Sequence, residues 1–230
     1  MPPSAPPYRA APAPLRLAVL CSGSGTNLQS ILDACASGQL AAAVVLVLAN
    51  RPDAGALARA ERAGVPTRVL APRTFSRRED HDAALVDILR EARAEVVVLA
   101  GYLRLVTPVL LDAFPGRVVN IHPSLLPAFP GLDAQQQALD RGVAIAGCTV
   151  HLVDAGTDTG PILAQAAVPV RPGDDRDALA ARILRQEHRL LVAVLAWFVE
   201  GRVRLAPDPD GRPRVRIDGD PPRLTWSDEP

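Results

Sequence analysis

The sequence predicts an α/β fold, in which a doubly wound, mostly parallel sheet carries helices on both faces. Three near-continuous apolar runs, Leu15–Cys21, Ala43–Ala49 and Glu95–Gly101, are typical of strands buried on both faces of a parallel sheet. Segments with the apolar spacing of helices separate these runs, and alternating strands and helices are the pattern of a doubly wound sheet. The 230-residue chain shows no internal repeat and no long linker, so we expect one main domain.

The predicted helices end where glycine or a polar segment follows the helical pattern. Gly38 and Gly64 directly follow two of these patterns, and glycine is common after a helix because it adopts positive φ without strain. In chain order, helices are predicted over Asn27–Ser37, Ala54–Ala63, Arg78–Arg93, Asp133–Arg141 and Asp177–Val199.

Two further segments, Arg117–His122 and Gly147–Val153, are predicted to be strands. After Gly201, the stretch RVRLAPDPDGRPRVRI indicates two strands around a Pro-Asp-Gly turn, and the last residues are predicted to form a loose tail. We therefore divide the chain into a disordered tail (residues 1–14), a main domain (residues 15–205), and a C-terminal hairpin and tail (residues 206–230).

The composition is that of a soluble globular protein, with 48% hydrophobic and 22% charged residues. The formal net charge of zero gives no reason to expect nucleic acid or an anionic membrane as a partner. No apolar run reaches the ~18 residues of a membrane span, and the proline-rich N-terminus is unlike a signal peptide. The isolated cysteines, Cys21, Cys35 and Cys148, indicate a cytoplasmic protein rather than a disulfide framework or a zinc site.

The stretch CSGSGTNLQSIL, which starts at Cys21, places two glycines between a strand and a helix. Backbone N–H groups at a helix N-terminus point at one spot, and the helix dipole favours an anion there. Leu28 stands where the dinucleotide fingerprint has its third glycine, and the chain has no lysine for a phosphate loop. We interpret the stretch as a site for a single phosphate; an ordinary strand–helix turn is the alternative.

The stretch NIHPSLLPAFPG, which starts at Asn120, follows a predicted strand. Side chains alternate along a strand, so Asn120 and His122 share one face, and Pro123 and Pro127 prevent a helix from following. An amide and an imidazole at the carboxyl end of the sheet supply two N–H donors that suit an oxyanion forming on a carbonyl group. The alternative is a capped strand end with a structural histidine.

The stretch HLVDAGTDTGPILAQ, which starts at His151, predicts an acidic loop that contains Asp154 and Asp158. A carboxylate in this loop could meet a histidine from a neighbouring strand, and an acidic surface turn is the alternative. A metal site made of His122, His151 and Asp158 is disfavoured because these residues lack the helical spacing of common zinc ligands, so we predict no metal.

The remaining polar and aromatic residues receive structural interpretations. His81 lies among charged residues of a predicted helix, so we expect it to be solvated. Glu187 and His188 lie in the last helix, where a surface position is the default. The residues expected in the core are Cys21, Cys148, Trp197 and Phe198.

The motifs SGSGTNLQ, LAGYLRLV, NIHPSLLP with a following PG, TVHLVDAGTDTGPI and QEH occur in this order. Over roughly Leu15–Leu205, the sequence resembles the phosphoribosylglycinamide formyltransferase family of purine biosynthesis. The resemblance implies a Rossmann-like catalytic domain over residues 15–205. It also implies transfer of the formyl group of 10-formyltetrahydrofolate, a co-substrate, to the amine of 5'-phosphoribosylglycinamide, with no tightly bound cofactor.

The resemblance also implies roles for individual residues. Asn120 and His122 would hold the oxyanion, and Asp158 would pair with His122 and raise its pKa. Arg78 would meet the glutamate tail of the folate. The ribonucleotide would contact Gly25, Thr26, Asn27, Leu184, Arg185, Gln186 and Glu187. The folate would contact Arg78, Leu103, Arg104, Leu105, Val106, Asn120, Asp154, Ala155, Gly156, Thr157 and Asp158.

One departure from the family pattern is clear, because Asp133 and Gln135 stand where the family often has histidines. The resemblance implies a cytoplasmic monomer or homodimer that binds small molecules and needs no nucleic acid or membrane partner. Other formyl-folate enzymes remain as alternatives, namely formyltetrahydrofolate hydrolase and methionyl-tRNA formyltransferase, both of which usually carry a second domain. A non-catalytic nucleotide-binding module on the same fold is the alternative from a different class.

Overall fold

A computed structural model of the protein describes residues 13–207, 209 and 213–226. The strands are β1 (Leu15–Cys21), β2 (Ala42–Ala49), β3 (Thr67–Val69), β4 (Val96–Leu99), β5 (Val118–His122), β6 (Ile145–Leu152), β7 (Ile162–Pro169), β8 (Val203–Pro207), β9 (Pro213–Ile217) and β10 (Leu224–Trp226). The helices are α1 (Thr26–Ala36), α2 (Gly55–Arg62), α3 (Arg78–Glu91), α4 (Pro108–Ala113), α5 (Ala134–Asp140) and α6 (Arg176–Val199). Among the described helices, none is long and apolar enough to cross a membrane.

Eight strands form one sheet in the order β10-β7-β6-β5-β4-β1-β2-β3, and β8 pairs with β9 in a separate hairpin. Within the large sheet, only β6 runs against its neighbours, β5 and β7, whereas the other described pairs are parallel. The predicted α/β class with a mostly parallel sheet is therefore confirmed.

Successive residues of β1 face opposite sides of the sheet and belong to two separate apolar cores. Leu17 and Val19 pack in the core that includes α1 and α6. Ala18 and Leu20 pack in the core that includes α3 and α4. Because both faces of the strand are covered, it reads as a continuous apolar run in the sequence, which is why the prediction succeeded.

The predicted strands and helices all occur, with ends that differ by a few residues from the structure. Among the described strands and α-helices, four were not predicted: β3, α4, β7 and β10. β3, α4 and β10 have three to six residues, and three of the eight residues of β7 are alanine, which carries little strand signal. Cys21, Cys148, Trp197 and Phe198 are buried, as expected.

The C-terminal segment differs from the expected loose tail. β8 and β9 form the predicted antiparallel hairpin, and β8 crosses the predicted boundary between residues 205 and 206. Leu224–Trp226 then extend the large sheet as β10, parallel to β7. Residues 1–12 of the predicted N-terminal tail lie outside the described residues, as do residues 208, 210–212 and 227–230.

Four helix-to-strand turns lie at the amino edge of the parallel strands. Each contains one residue with positive φ: Gly38 at 77°, Gly64 at 68°, Arg93 at 51° and Gly116 at 65°. The opposite, carboxyl edge carries the loops after β1, β4 and β5. Ligands of open α/β sheets bind at this carboxyl edge, so the fold directs attention to those loops.

Candidate active site

A cavity of about 600 Å³ opens at the carboxyl edge of the sheet. It brings together residues predicted for three roles: Asn27 and Glu187 for the ribonucleotide, Leu103–Val106 and Asp154 for the folate, and Asn120, His122 and Asp158 for catalysis. Gly156 and Thr157 also line it. The predicted site residues that do not line the cavity are Gly25, Thr26, Arg78, Ala155, Leu184, Arg185 and Gln186.

Strand β5 presents Asn120 and His122 to the cavity from the same face, as the alternation of side chains predicted. His122 is 5% exposed and Asn120 is half-buried. The peptide bond between Leu126 and Pro127, in the loop after the strand, is cis. Polar side chains are thus carried by a rigid strand rather than by the loop that follows it.

Asp158 reaches the same cavity from the loop between β6 and β7. Its backbone has a φ of 55°, a left-handed conformation that aspartate adopts more readily than most residues. One carboxylate oxygen accepts the Gly131 N–H at 2.8 Å and lies 3.4 Å from His122 Nδ1. The other lies 3.4 Å from Asn120 Nδ2. The carboxylate therefore contacts both predicted donors.

His151 is a member of this group that the motif analysis considered only as a metal ligand. Its Nδ1 lies 2.9 Å from the Leu152 carbonyl, which can only accept a hydrogen bond. In the neutral ring, Nε2 is then an acceptor, and it receives the Asn120 amide N–H at 3.0 Å. The register of the antiparallel pair places Asn120 directly opposite His151 and could have indicated this contact.

Asp158 acts to raise the pKa of His122, as expected, but the pKa of His122 lies below its ordinary value rather than above it. Burial lowers the pKa of His122 below its ordinary value, because a charged ring is poorly solvated there. The Phe129 carbonyl and the Asp158 carboxylate oppose this effect without overcoming it, and His151 adds to it. Burial opposes ionisation of Asp158 as well, but the His151 ring, 3.7 Å away, and the hydrogen bond from the Gly131 amide keep the pKa of Asp158 below its ordinary value.

The donors do not point at an empty oxygen site in the free protein. His122 Nε2 lies 2.9 Å from the Phe129 carbonyl, and both hydrogens of the Asn120 amide face protein acceptors. A substrate oxygen would therefore take the place of one of these acceptors rather than occupy a vacant position. This differs from the predicted picture of two donors that converge freely on one point.

The turn before α1 has the geometry expected of an anion site. Gly25 caps the helix with a φ of 75°, and a Cβ there would lie 2.6 Å from the Ala56 Cα, so only glycine fits. Asn27 donates to Glu187 across a 2.8 Å hydrogen bond, and both side chains are buried. Burial raises the pKa of Glu187, although the bond from Asn27 acts in the opposite direction.

Two residues near this turn were not recognised from the sequence. Arg59 of α2 donates to the Ser24 carbonyl at 2.8 Å and to Gln29 at 3.2 Å, so it holds the turn from a different helix. His188 is half-buried rather than exposed, and its Nε2 is buried without a hydrogen-bond partner. Burial, and then the charge of Arg59, lower the pKa of His188. No local pattern joins residues this far apart in the chain.

Comparison with known proteins then decides the family. Residues 15–195 match the sequence profile described as "Formyl transferase". The chain belongs to the formyl transferase family.

Several relatives within the formyl transferase family carry more specific names. The Haemophilus influenzae protein "Phosphoribosylglycinamide formyltransferase" is 43% identical over 190 residues, which cover 83% of this chain and 90% of that protein. The Drosophila melanogaster "Trifunctional purine biosynthetic protein adenosine-3" is 46% identical over 195 residues, or 84% of this chain, and the match spans only 14% of that longer protein. The crystal structure of "glycinamide ribonucleotide transformylase 1" from Symbiobacterium toebii is 51% identical, with a TM-score of 0.84 over 89% of this chain and 94% of that one.

The departure from the formyl transferase pattern at Asp133 has a structural counterpart. Asp133 lines the cavity with a φ of 57°, and its carboxylate lies 2.6 Å from Arg176 Nε on α6. Gln135 also lines the cavity. Both members of the ion pair are about half exposed, so it contributes little to stability and leaves the charge near the cavity balanced.

Among the described residues, no group of three or more His, Cys, Asp or Glu side chains is placed to hold a metal ion. His122 and His151 each direct one ring nitrogen at a backbone carbonyl. The cluster is therefore arranged for proton and hydrogen-bond chemistry.

Two residues behind the predicted folate loop also differ from expectation. Arg78 does not line the cavity; its guanidinium donates to the Leu105 carbonyl at 2.8 Å. His81 is fully buried rather than solvated, with Nδ1 3.0 Å from Asp82. The charged neighbours of His81 in the sequence suggested a surface position, but its own helical face points at the loop after β4.

Proposed function

We propose that this protein transfers the formyl group of 10-formyltetrahydrofolate to the amine of 5'-phosphoribosylglycinamide, giving formylglycinamide ribonucleotide in de novo purine biosynthesis. The observation that carries the proposal is one cavity that holds the Asn27–Glu187 pair beside Asn120, His122 and Asp158. The relatives that share this chain over most of their length bear the corresponding names. We place the activity in residues 15–205 of a cytoplasmic monomer or homodimer.

The reaction requires charge stabilisation rather than a side-chain nucleophile. The substrate amine attacks the formyl carbon, and the carbonyl oxygen gains negative charge as the new C–N bond forms. The Asn120 amide and the His122 ring would donate to this oxygen, in place of acceptors that they contact in the free protein. One donor of this kind is typically worth ~3–4 kcal/mol of transition-state stabilisation.

The lowered pKa of His122 fits a role in moving the proton. At neutral pH the ring is mainly neutral, so while Nε2 donates to the oxygen, Nδ1 can accept the proton that the amine loses. Asp158, 3.4 Å from Nδ1, would stabilise the imidazolium while it exists. The proton then passes to the folate nitrogen as its bond to the formyl carbon breaks, so the cycle ends with neutral tetrahydrofolate nitrogen and a formylated amine.

The two substrates would approach the cavity from different sides. The phosphate would bind the N–H groups of Gly25, Thr26 and Asn27, where the α1 dipole favours an anion. Glu187, with Leu184–Gln186 nearby, would accept hydrogen bonds from the ribose hydroxyls. The folate would lie against Leu103–Val106 and the loop Asp154–Asp158, with Arg78 near its carboxylate tail.

One assay with the purified protein separates this function from its alternatives. We expect tetrahydrofolate to form only when both 10-formyltetrahydrofolate and phosphoribosylglycinamide are present. Tetrahydrofolate without the ribonucleotide would indicate a hydrolase, and transfer to methionyl-tRNA alone would indicate the tRNA enzyme. Binding of the ribonucleotide without any turnover would indicate a non-catalytic module.

A further inference from the structure

We propose that Asp82 is a positioning residue for the folate, because it fixes the end of the loop against which the folate would lie. The inference rests on the proposed function, since Leu103–Val106 is the predicted folate surface. Asp82 itself does not line the cavity. It would therefore act through the loop and not by contact with the substrate.

Asp82 is a fully buried carboxylate on α3. One of its oxygens accepts the Thr107 N–H at 2.6 Å, and the other faces His81 Nδ1 at 3.0 Å and Arg104 Nε at 3.8 Å. A buried carboxylate is expensive unless charged or hydrogen-bonding partners surround it. Here those partners include Arg104 and Thr107, the two ends of the stretch Arg104–Thr107. The Asp82 carboxylate therefore keeps these partners only while the stretch stays in its observed position.

Hydrogen bonds hold this loop at both of its ends. At its start, the Leu103 N–H donates to the Ser22 hydroxyl at 2.9 Å, and at its end Thr107 donates to Asp82. Between these points Leu103 and Leu105 are 68% and 52% exposed, so apolar packing does not fix their backbone, whereas Val106 is 8% exposed and packs in the core that includes α3 and α4. Side chains on neighbouring elements hold the main chain that lines the cavity.

The first turn of α3 adds a second connection to the same loop. Arg78 donates to the Leu105 carbonyl at 2.8 Å, and Arg104 returns a 3.4 Å hydrogen bond to the Arg78 carbonyl. Beneath them, His81 lies 3.3 Å from the Leu70 carbonyl and packs its ring against Phe75. His81 is thereby fixed in the orientation that faces Asp82.

The test compares Asp82→Asn with a matched variant in a different buried ion pair. Asp174 lies 2.6 Å from Arg182, both are at least nine-tenths buried, and neither lines the cavity. We expect Asp82→Asn to weaken binding of 5-formyltetrahydrofolate, a non-reacting folate, by at least about tenfold, which corresponds to about 1.4 kcal/mol. The KM for 10-formyltetrahydrofolate should rise by a similar factor, with kcat and the ribonucleotide KM little changed. Asp174→Asn should leave the folate affinity unchanged.

A second variant and a second measurement distinguish a local effect on the loop from a general loss of folding. His81→Phe keeps an aromatic ring beside Phe75 and removes the nitrogen that faces Asp82, so we expect a smaller loss of folate affinity in the same direction. Hydrogen exchange at the Leu103–Thr107 amides should accelerate in Asp82→Asn and not in Asp174→Asn.

The outcomes are distinct from those that test the proposed function. Folate affinity and loop exchange that stay at parent values in Asp82→Asn would overturn the positioning role. An equal loss of folate affinity in Asp174→Asn would overturn it too, because a general effect on folding would then suffice. If the parent protein binds 5-formyltetrahydrofolate but transfers no formyl group, the proposed function fails while these two measurements still decide the role of Asp82.

Discussion

Asp158→Asn removes a negative charge that contacts both predicted donors. The variant keeps the shape of the side chain. It also keeps one oxygen that can accept the Gly131 N–H, which lies 2.8 Å from the carboxylate in the parent protein. At the 3.4 Å that separates Asp158 from His122 Nδ1, two unit charges attract by about 2–5 kcal/mol for effective dielectric constants of roughly 40 to 20. Half-burial of Asp158 makes the lower part of this range appropriate, so we expect kcat to fall by about a hundredfold or more.

The experiment measures kcat from tetrahydrofolate release and follows the His122 ring by NMR across pH. Loss of the carboxylate removes an effect that raises the pKa of His122, so this pKa should fall further below its ordinary value. Asp140→Asn, on the exposed face of α5, is the control and should retain parent activity. A kcat within a few-fold of the parent, or an unmoved His122 pKa, would refute the electrostatic coupling of the two residues.

Three further predictions follow from other parts of the structure. Asn27→Asp places a carboxylate beside Glu187, so the ribonucleotide KM should rise while the folate KM stays near the parent value; an equal rise in both would argue against this phosphate site. The pKa of His122 in the folded protein is lowered. Its contribution to the free energy of unfolding should therefore be fully present above the ordinary pKa of ~6.5 and be lost as pH falls through the folded pKa. Urea unfolding of the parent and of His122→Gln from pH 5 to 8 measures this contribution. Arg93→Gly should raise the free energy of unfolding by up to about 1 kcal/mol, because Arg93 has a φ of 51°; a lower melting temperature would contradict this.

The sequence was sufficient for the parts of the fold in which local pattern and burial agree. β1, β2 and β4 are covered on both faces, and their apolar runs show it directly. β7 contains several alanines, which have no preference for strands, and it lies between β10 and β6 in the sheet. Its pairing with these neighbours, rather than its local sequence, makes it a strand. β10 is paired through the backbone at the sheet edge, and backbone pairing leaves no side-chain pattern to detect.

The candidate site divides in the same way. Asn120 and His122 were predictable because they are two residues apart on one strand, and their shared face follows from the period of a strand. Asp158 was placed beside them by the family resemblance, and its contacts are now visible. The sign of the His122 pKa shift could not be predicted, because it depends on how much solvent the folded chain removes from the ring, and no pairing rule contains that quantity.

The four positive-φ turns at the amino edge of the sheet, at Gly38, Gly64, Arg93 and Gly116, do not line the cavity. Every cavity-lining loop instead leaves from the other side of the strands or from the β6–β7 connection. The β6–β7 loop starts beside the amino end of β5, because β6 is antiparallel to β5, and it is the exception. Otherwise the cavity-lining loops and the four helix-to-strand turns lie at opposite edges of the sheet. Such a domain can be joined to other proteins, or have its four amino-edge turns lengthened, without a change in the residues that line the cavity. In the Drosophila relative, the matched region is 14% of a longer chain, which is an example of such a fusion.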